Sequence, residues 1–185
     1  RRRIESPGIP QAAIERSVSD RITVSMPGLT DPQRVKDLLA QQGHLSARLA
    51  DDSMTLDAAI ENGPPAGAEI LYSSGEPPVG YLLRQEDLFT AEDVASAEPG
   101  ADGEPHVSFR LTPEAARRLE AFTREHVGRT IAIVLDDQVI STSVVQAPIT
   151  GGAGELAGDF DAEGAANLAR VIASGALPAP LTIIE

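Results

Sequence analysis

The sequence contains no cysteine and no tryptophan, and aromatic residues make up only 3% of its 185 positions. Without cysteine the chain can form neither a disulfide nor a catalytic thiolate, which is compatible with any cellular compartment. Four Phe and two Tyr residues offer few surfaces on which a nucleobase or a sugar could stack. The sequence also has no signal-peptide pattern and no run of 18 apolar residues, the length that a transmembrane helix needs.

Basic residues are scarce, since 15 Lys and Arg stand against 28 Asp and Glu, and the formal net charge is −13. A surface of this charge repels phosphate groups, which argues against nucleic acid as a partner. Hydrophobic residues make up 42% of the chain, which is typical of a folded protein and not of a disordered tail. The length suffices for one domain or for two small subdomains.

The centre of the sequence predicts a β-hairpin between two helices. Residues 131–135 form an apolar, β-branched run that is typical of a strand buried on both faces. Asp136 and Asp137 provide a turn, and residues 138–141 resume a strand. Thr112 begins a helix before this hairpin and Asp161 begins another after it, each as an N-cap. The pattern predicts an α+β unit.

The N-terminal third of the sequence predicts a hairpin, a helix and a strand. The hairpin covers residues 12–26, the helix begins at residues 30–32, and residues 45–49 alternate as a strand. These elements are most of a ferredoxin-like unit that is incomplete at its N-terminus, where one strand and one helix are missing.

Two segments rich in glycine and proline interrupt the chain, at residues 62–67 and 175–180. We therefore predict a ferredoxin-like base subdomain, residues 1–66 with 178–185, and an inserted α+β head subdomain, residues 67–177. The head should move on the base as a body, because glycine supplies dihedral freedom and proline keeps each side stiff. The predicted hinge residues are Gly63, Pro64, Pro65, Gly67, Gly175 and Pro178.

The first half of the predicted head has weaker signals. Residues 69–72 and 79–83 are predicted as short strands, and residues 89–97 as a short helix or turn. An acidic, glycine-containing loop is expected at 98–104, and a strand at 106–111.

The polar residues do not form a recognisable catalytic or metal-binding pattern. His44, His106 and His126 are scattered and lack metal-ligand spacing, which favours structural or solvated roles. Asp136 and Asp137 could hold a divalent cation, but a hairpin turn explains both residues better. We predict no catalytic site, no cofactor and no metal.

Seven short segments, which occur in order along the chain, resemble the SecD family. Members of this family pair with SecF in the membrane complex that assists Sec-dependent protein export. The resemblance is to the large first extracytoplasmic domain and covers nearly the whole chain. The segments are residues 1–5, 20–22, 27–32, 132–136, 148–152, 158–160 and 175–181.

The resemblance implies a periplasmic domain of an integral membrane protein, on the extracytoplasmic face of the bacterial inner membrane. It implies that the flanking membrane helices lie outside this chain, which would then touch the membrane only through them. It also implies a non-enzymatic function, in which the head holds an emerging preprotein while proton flow drives head movement. The implied partners are SecF and the SecYEG channel, through the full-length protein, and unfolded preprotein.

Binding of an unfolded polypeptide requires an exposed apolar groove or a free strand edge. Two segments could supply these, residues 82–89 and an edge strand at 139–145, although core packing is the favoured interpretation of each. The alternative function is an extracytoplasmic ligand-binding module for cell-wall material or a small solute, which would need an aromatic-lined pocket. The candidate polypeptide contacts are Leu82, Leu83, Leu88, Phe89, Val139 and Val144.

Overall fold

The computed structural model describes residues 13–16, 22–25, 42–100, 103–158 and 160–175. The chain divides into two compact units, Arg1–Gln42 with Pro178–Glu185, and Gly43–Leu177. In the first unit, β1 (Ala13–Arg16) pairs antiparallel with β2 (Ile22–Ser25), which confirms the hairpin predicted there. The predicted helix from residues 30–32 and the predicted final strand at 180–184 lie outside the described residues.

The second unit combines strands with helices, which confirms the α+β class. Its elements are β3 (Leu45–Ala50), α1 (Leu56–Asn62), β4 (Ala68–Ser73), β5 (Gly80–Thr90), a 3-10 turn (Ala91–Asp93), β6 (Val94–Pro99), β7 (His106–Leu111), α2 (Pro113–Glu125), β8 (Thr130–Leu135), β9 (Gln138–Val144), β10 (Ala153–Ala157) and α3 (Ala162–Ser174).

Five strands of this unit close into a barrel in the order β3, β5, β4, β9, β8. Neighbouring strands are antiparallel, except that β4 and β9 run parallel. Every residue from Ile131 to Leu135 is buried, which confirms that this run is covered on both faces. One cluster of buried apolar side chains in the barrel consists of Leu71, Leu83, Ala132, Val134 and Val139.

The strand β3 is present where the sequence predicts it, but its partners differ from the prediction. It is hydrogen-bonded between β5 and β8 in the barrel, and both of these strands lie in the predicted head, so its assignment to the base stays a prediction that this pairing does not support. Leu45, Ala47 and Leu49 are buried, as their alternation predicts. Alternation shows which residues of a strand face a core, but it does not identify the strands that share that core.

A three-stranded antiparallel sheet, in the order β10, β7, β6, lies in the same unit, and α3 packs against β6 and β7. β6 corrects the prediction of a helix or turn at 89–97 and of a loop from residue 98. Only Ala91–Asp93 is helical, and Val94–Pro99 pairs with β7. The pairing outweighs the low strand propensity of an Ala-Ser-Ala-Glu sequence.

Side-chain caps begin α1, α2 and α3. The Thr112 hydroxyl accepts a hydrogen bond from the Ala115 N–H at 3.4 Å, and the Asp161 carboxylate accepts one from the Gly164 N–H at 2.7 Å. Both were predicted as N-caps, and both predictions are confirmed. Thr55 caps α1 in the same way.

A charged cluster on the barrel joins three strands. Arg48 of β3 donates from Nε to Asp87 of β5 at 2.9 Å, and from Nη1 to Glu69 of β4. Burial lowers the pKa of Arg48, but the hydrogen bonds and charges of Asp87 and Glu69 outweigh it and raise the pKa above its ordinary value. The cation is therefore held on the barrel wall by two carboxylates.

Asp51, directly after β3, gives the chain a pH-dependent contact. The Ser53 hydroxyl and backbone N–H both donate to its Oδ1 and lower the pKa of Asp51 below its ordinary value, with a smaller contribution from Arg84. A carboxylate whose folded pKa is depressed stabilises the fold above its unfolded pKa of about 3.9. That stabilisation is lost as the pH falls through the folded pKa.

We predict that Ser53→Ala raises the pKa of Asp51, because one of its two Ser53 donors is removed. The variant should be less stable than the parent at pH 7, by no more than about 1 kcal/mol. That difference should shrink as the pH falls below 3.9. NMR titration of the carboxyl and urea unfolding at pH 7 and pH 3 measure both quantities. Ser96→Ala, at an exposed serine of β6, is the control, and an equal stability difference at both pH values would contradict the prediction.

Candidate functional site

The outer side of β9 is a partly open strand edge. On one side, β9 pairs with β8 from Gln138 to Val144. On the other side, it pairs with β4 only at Gln138 and Val139, because β4 ends at Ser73. No strand within the described residues pairs with β9 beyond that point. Residues 142–144 are exposed, and the Val144 side chain is 52% exposed although it is apolar.

The direction of the hydrogen bonds shows which backbone groups of this edge face outward. The Val145 N–H donates to the Arg129 carbonyl at 2.9 Å, on the β8 side. Successive residues of an antiparallel strand point their backbone groups to opposite sides. Ser143 therefore faces β8, whereas Thr142 and Val144 face outward. The edge offers the N–H and C=O groups of these two residues to an added strand.

A cleft of about 260 Å³ lies beside this edge. Its walls are the loop at residues 73–75, which follows β4, and residues 139–142 of β9. At one end, the Ser141 hydroxyl donates to the Ala157 carbonyl at 2.6 Å. An added Cβ at Gly158 would lie 2.5 Å from the Ile140 carbonyl oxygen, so only glycine allows this close approach. Ala157 and Gly158 thus close that end of the cleft.

Four serine and threonine residues line the cleft, together with two glycines and three aliphatic residues, and the only aromatic side chain among its lining residues is Tyr81. Its volume is below the range of about 300–1,000 Å³ that small-molecule sites occupy. These properties suit a stretch of polypeptide backbone better than a sugar or an aromatic solute.

Three of the residues considered as catalytic or metal-binding candidates, His106, His126 and Asp136, make contacts with nearby backbone groups. His106 Nδ1 lies 2.9 Å from the Glu104 carbonyl, and His126 Nδ1 lies 2.8 Å from the Phe122 carbonyl. His126 also stacks on Phe122 at a ring distance of 3.9 Å. Asp136 accepts two backbone hydrogen bonds, as described below. Among the described residues, no three His, Asp or Glu side chains gather as a metal ion would require.

Four of the six predicted polypeptide contacts lie in the core. Leu83 and Val139 belong to the barrel interior, whereas Leu82 packs against α1 on its outside. Phe89 is buried and lies 5.6 Å from the ring of Phe109. Leu83 and Val139 are enclosed by the barrel, Leu82 is covered by α1, and Phe89 packs on Phe109, so core packing accounts for the burial of these side chains. The contact role of these four stays a prediction.

Leu88 is half-buried on β5, and Val144 is exposed on the open edge. Their contact roles stay predictions, and the structure does not bring the six residues together on one surface. The signal in the sequence for this edge is the run Ser141, Thr142, Ser143, where small hydroxyl residues follow an apolar strand.

Family models for two parts of one protein match the chain in sequence order. The model described as the SecDF P1 head subdomain matches residues 68–179, and that for the N-terminal P1 domain of protein translocase subunit SecDF matches residues 1–52. The chain belongs to the SecD/SecDF family. The resemblance stated from its short motifs is confirmed.

Curated relatives of this SecD-family domain are longer proteins. Protein translocase subunit SecDF of Brucella abortus is 39% identical over 188 residues, which are 100% of this chain and 25% of the relative. Protein translocase subunit SecD of Acetobacter pasteurianus is 38% identical over 190 residues, which are 100% of this chain and 36% of the relative. The chain therefore spans between a quarter and just over a third of the length of these relatives.

Solved SecDF structures share the fold. A structure described as that of a membrane component SecDF that enhances protein export is 30% identical, with a TM-score of 0.72, and the match covers 100% of this chain and 87% of that chain. The crystal structure of SecDF in a super-membrane-facing form has a TM-score of 0.77 at 31% identity, over 100% of this chain and 26% of that chain. Within the described ranges, none of the helices has both the length and the apolar character that a bilayer crossing requires.

The first predicted hinge of this SecD-family domain lies inside one compact unit. The Ala68 N–H donates to the Pro65 carbonyl at 3.0 Å, and the Gln85 N–H donates to the Gly67 carbonyl at 2.9 Å. The elements on either side, α1 and β4, contribute Ala59 and Ala68 to one apolar cluster. The crossing between units is instead at Gln42 and Gly43. The hinge role of Gly63, Pro64, Pro65 and Gly67 therefore stays a prediction, which the division at Gln42 and Gly43 does not support.

The second predicted hinge coincides with the other crossing, between Leu177 and Pro178. Gly175 follows α3 with a φ angle of 71°, and Pro178 lies outside the described residues. The hinge role of both residues stays a prediction. The division into base and head between residues 66 and 67 also stays a prediction. The two family models leave residues 53–67 between them, and this gap includes the predicted boundary.

Proposed function

We propose that this chain is a non-enzymatic, extracytoplasmic domain of a SecD-type export subunit that binds an emerging polypeptide in extended form. The open outer side of β9 carries the proposal. There Thr142 and Val144 present their backbone groups beside a hydroxyl-lined cleft. A polypeptide added as a strand forms hydrogen bonds through its own backbone, so the binding tolerates many sequences. An export subunit must accept such variety in its substrates.

The size of the edge sets the expected strength of binding. Only two outward-facing residues are available, and each net hydrogen bond contributes about 0.5–1.5 kcal/mol. The binding is therefore weak, and a polypeptide can dissociate and rebind as it advances. Val144, which is apolar and half exposed, would add contact with apolar side chains of the polypeptide.

The proposed function has a mechanical part. The chain forms two compact units, and it crosses between them twice. One unit would move against the other while proton flow through the membrane part of the full-length protein, together with SecF, drives the cycle. A polypeptide held on β9 near the SecYEG channel would then be carried outward and prevented from sliding back.

Photo-crosslinking tests the binding edge. A photoreactive residue at position 142 or 144 of the full-length protein, in membrane vesicles with a stalled export substrate, is expected to cross-link that substrate. The yield should be severalfold higher than from position 117, because Arg117 is also exposed but lies on α2. Equal yields at the three positions would show that β9 does not bind the polypeptide.

A further inference from the structure

The turn between β8 and β9 holds the start of the second unit. The carboxylate of Asp136 accepts the Gly43 N–H at 3.1 Å through Oδ2 and the His44 N–H at 2.9 Å through Oδ1. The backbone N–H of Asp136 donates to the His44 carbonyl at 3.1 Å. Three hydrogen bonds thus join residues that are more than 90 positions apart in the sequence.

The backbone of this turn suits Asp or Asn, and the contacts explain the carboxylate. Asp136 and Asp137 have φ angles of 48° and 67°, the left-handed conformation of a two-residue hairpin turn. Glycine adopts this conformation most readily, and Asn and Asp tolerate it better than other residues do. The Asp carboxylate differs from Gly and Asn because each of its two oxygens can accept a backbone N–H. Asp136 uses both oxygens in this way.

Gly43 is the first residue of the second unit, so these bonds lie where the chain enters it. We infer that Asp136 is a positioning residue. It fixes the entering chain to the β8–β9 turn, so that movement of the first unit is passed directly to β9. This inference rests on the proposed movement of one unit against the other. Because Asp136 holds the backbone N–H groups of Gly43 and His44, rotation of the chain between the units must occur before the Gly43 amide.

Asp136→Asn tests the inference and leaves the turn intact, because Asn also tolerates a positive φ. Its amide group keeps one acceptor but turns an N–H donor toward the second backbone N–H. Amide exchange at Gly43 and His44 of the 185-residue chain should become at least about tenfold faster, as expected for the loss of a hydrogen bond to a charged group. Exchange at Ile133, in the centre of β8, should be unchanged.

Asp137→Asn is the matched control, since it removes the same charge from the same turn at an exposed side chain. It should leave all three exchange rates unchanged. In a second measurement, spin labels at Glu15 and Arg117, one in each unit and both exposed, report the distance between the units. The distance distribution should broaden in D136N and not in D137N, and the absence of native cysteine makes specific labelling simple.

The inference is overturned if D136N leaves the exchange of Gly43 and His44 unchanged, or if D137N accelerates it equally. It is also overturned if Ile133 accelerates with them, because Asp136 would then only stabilise the barrel. An unchanged distance distribution in D136N would show that the hydrogen bonds of Asp136 do not restrict the movement of one unit against the other. These measurements use no polypeptide substrate. Failure of the proposed polypeptide binding is detected by cross-linking, so it can be distinguished from failure of this inference.

Discussion

Leu83→Ala is expected to lower the free energy of unfolding by about 3–4 kcal/mol, within the range of about 2–5 kcal/mol for a buried leucine whose removal leaves a cavity. Leu83 is 0% exposed and packs in the barrel with Leu71, Val134 and Val139. These neighbours belong to strands that are hydrogen-bonded around a closed barrel, so they cannot easily move inward to fill the space. Urea unfolding of the 185-residue chain, followed by circular dichroism, measures the effect.

Val79→Ala is the matched control, because Val79 is 52% exposed and lies just before the same strand. It should change the stability by no more than about 0.5 kcal/mol. The pair of variants also separates the two roles considered for Leu83. A residue that contacts the polypeptide would lose cross-linking without losing stability. A loss below about 1 kcal/mol for Leu83→Ala would contradict its place in the core.

The elements that the sequence predicts correctly are those with local signals. The β8–β9 hairpin follows from an apolar run and two aspartates that tolerate the left-handed conformation. The starts of α2 and α3 follow from Thr112 and Asp161, whose side chains bind backbone groups only three residues away. Each of these features depends on a few neighbouring residues and can therefore be read directly from the chain.

The errors concern contacts between distant residues. Ala47 pairs with Phe89 and Ile133, which are 42 and 86 positions away, and no local pattern specifies these partners. Leu82 and Leu83 are adjacent, yet both are buried, because α1 covers the outside of the barrel at this strand. Without that helix, one of the two would face solvent and could form a binding surface. The sequence alone does not show that a helix covers this face of β5, so it left both a binding surface and core packing open.

The candidate site could be predicted only in part. The sequence offers residues 139–145 as a possible edge strand, and the exposed residues 142–144 lie in that range. Which part of the edge stays open depends on where β4 ends and where Gly158 approaches, and both are tertiary features. The face of a side chain is also a tertiary feature, since Val139 packs in the barrel core whereas Val144 on the same strand is exposed.

Thr142→Pro is expected to reduce cross-linking of a stalled export substrate, measured from a photoreactive residue at position 144, by roughly fivefold or more. Proline removes the outward N–H of Thr142, and one net hydrogen bond corresponds to roughly a two- to tenfold change in affinity. The ring also occupies the space in which an added strand would lie. Proline is tolerated at strand edges where its nitrogen faces away from the partner strand.

The register supports this choice of position. Thr142 lies opposite Ala132, between the pairs Ser143 with Ile131 and Ser141 with Ile133. Because Ser143 and Ser141 point toward β8, proline at position 142 leaves the β8–β9 hydrogen bonds in place, and the stability should change by less than about 1 kcal/mol. Proline at position 143 would remove one of those bonds, so a loss of cross-linking there could not be assigned to the edge.

Thr142→Val completes the test, because valine has nearly the shape of threonine and keeps the backbone N–H but lacks the hydroxyl. It should retain cross-linking to within about twofold, since the added strand binds the backbone and not the side chain. Equal losses in both variants would assign the binding to the hydroxyl groups of the cleft. Undiminished cross-linking in a folded Thr142→Pro variant would exclude strand addition on β9 as the way in which this SecD-family domain holds a polypeptide.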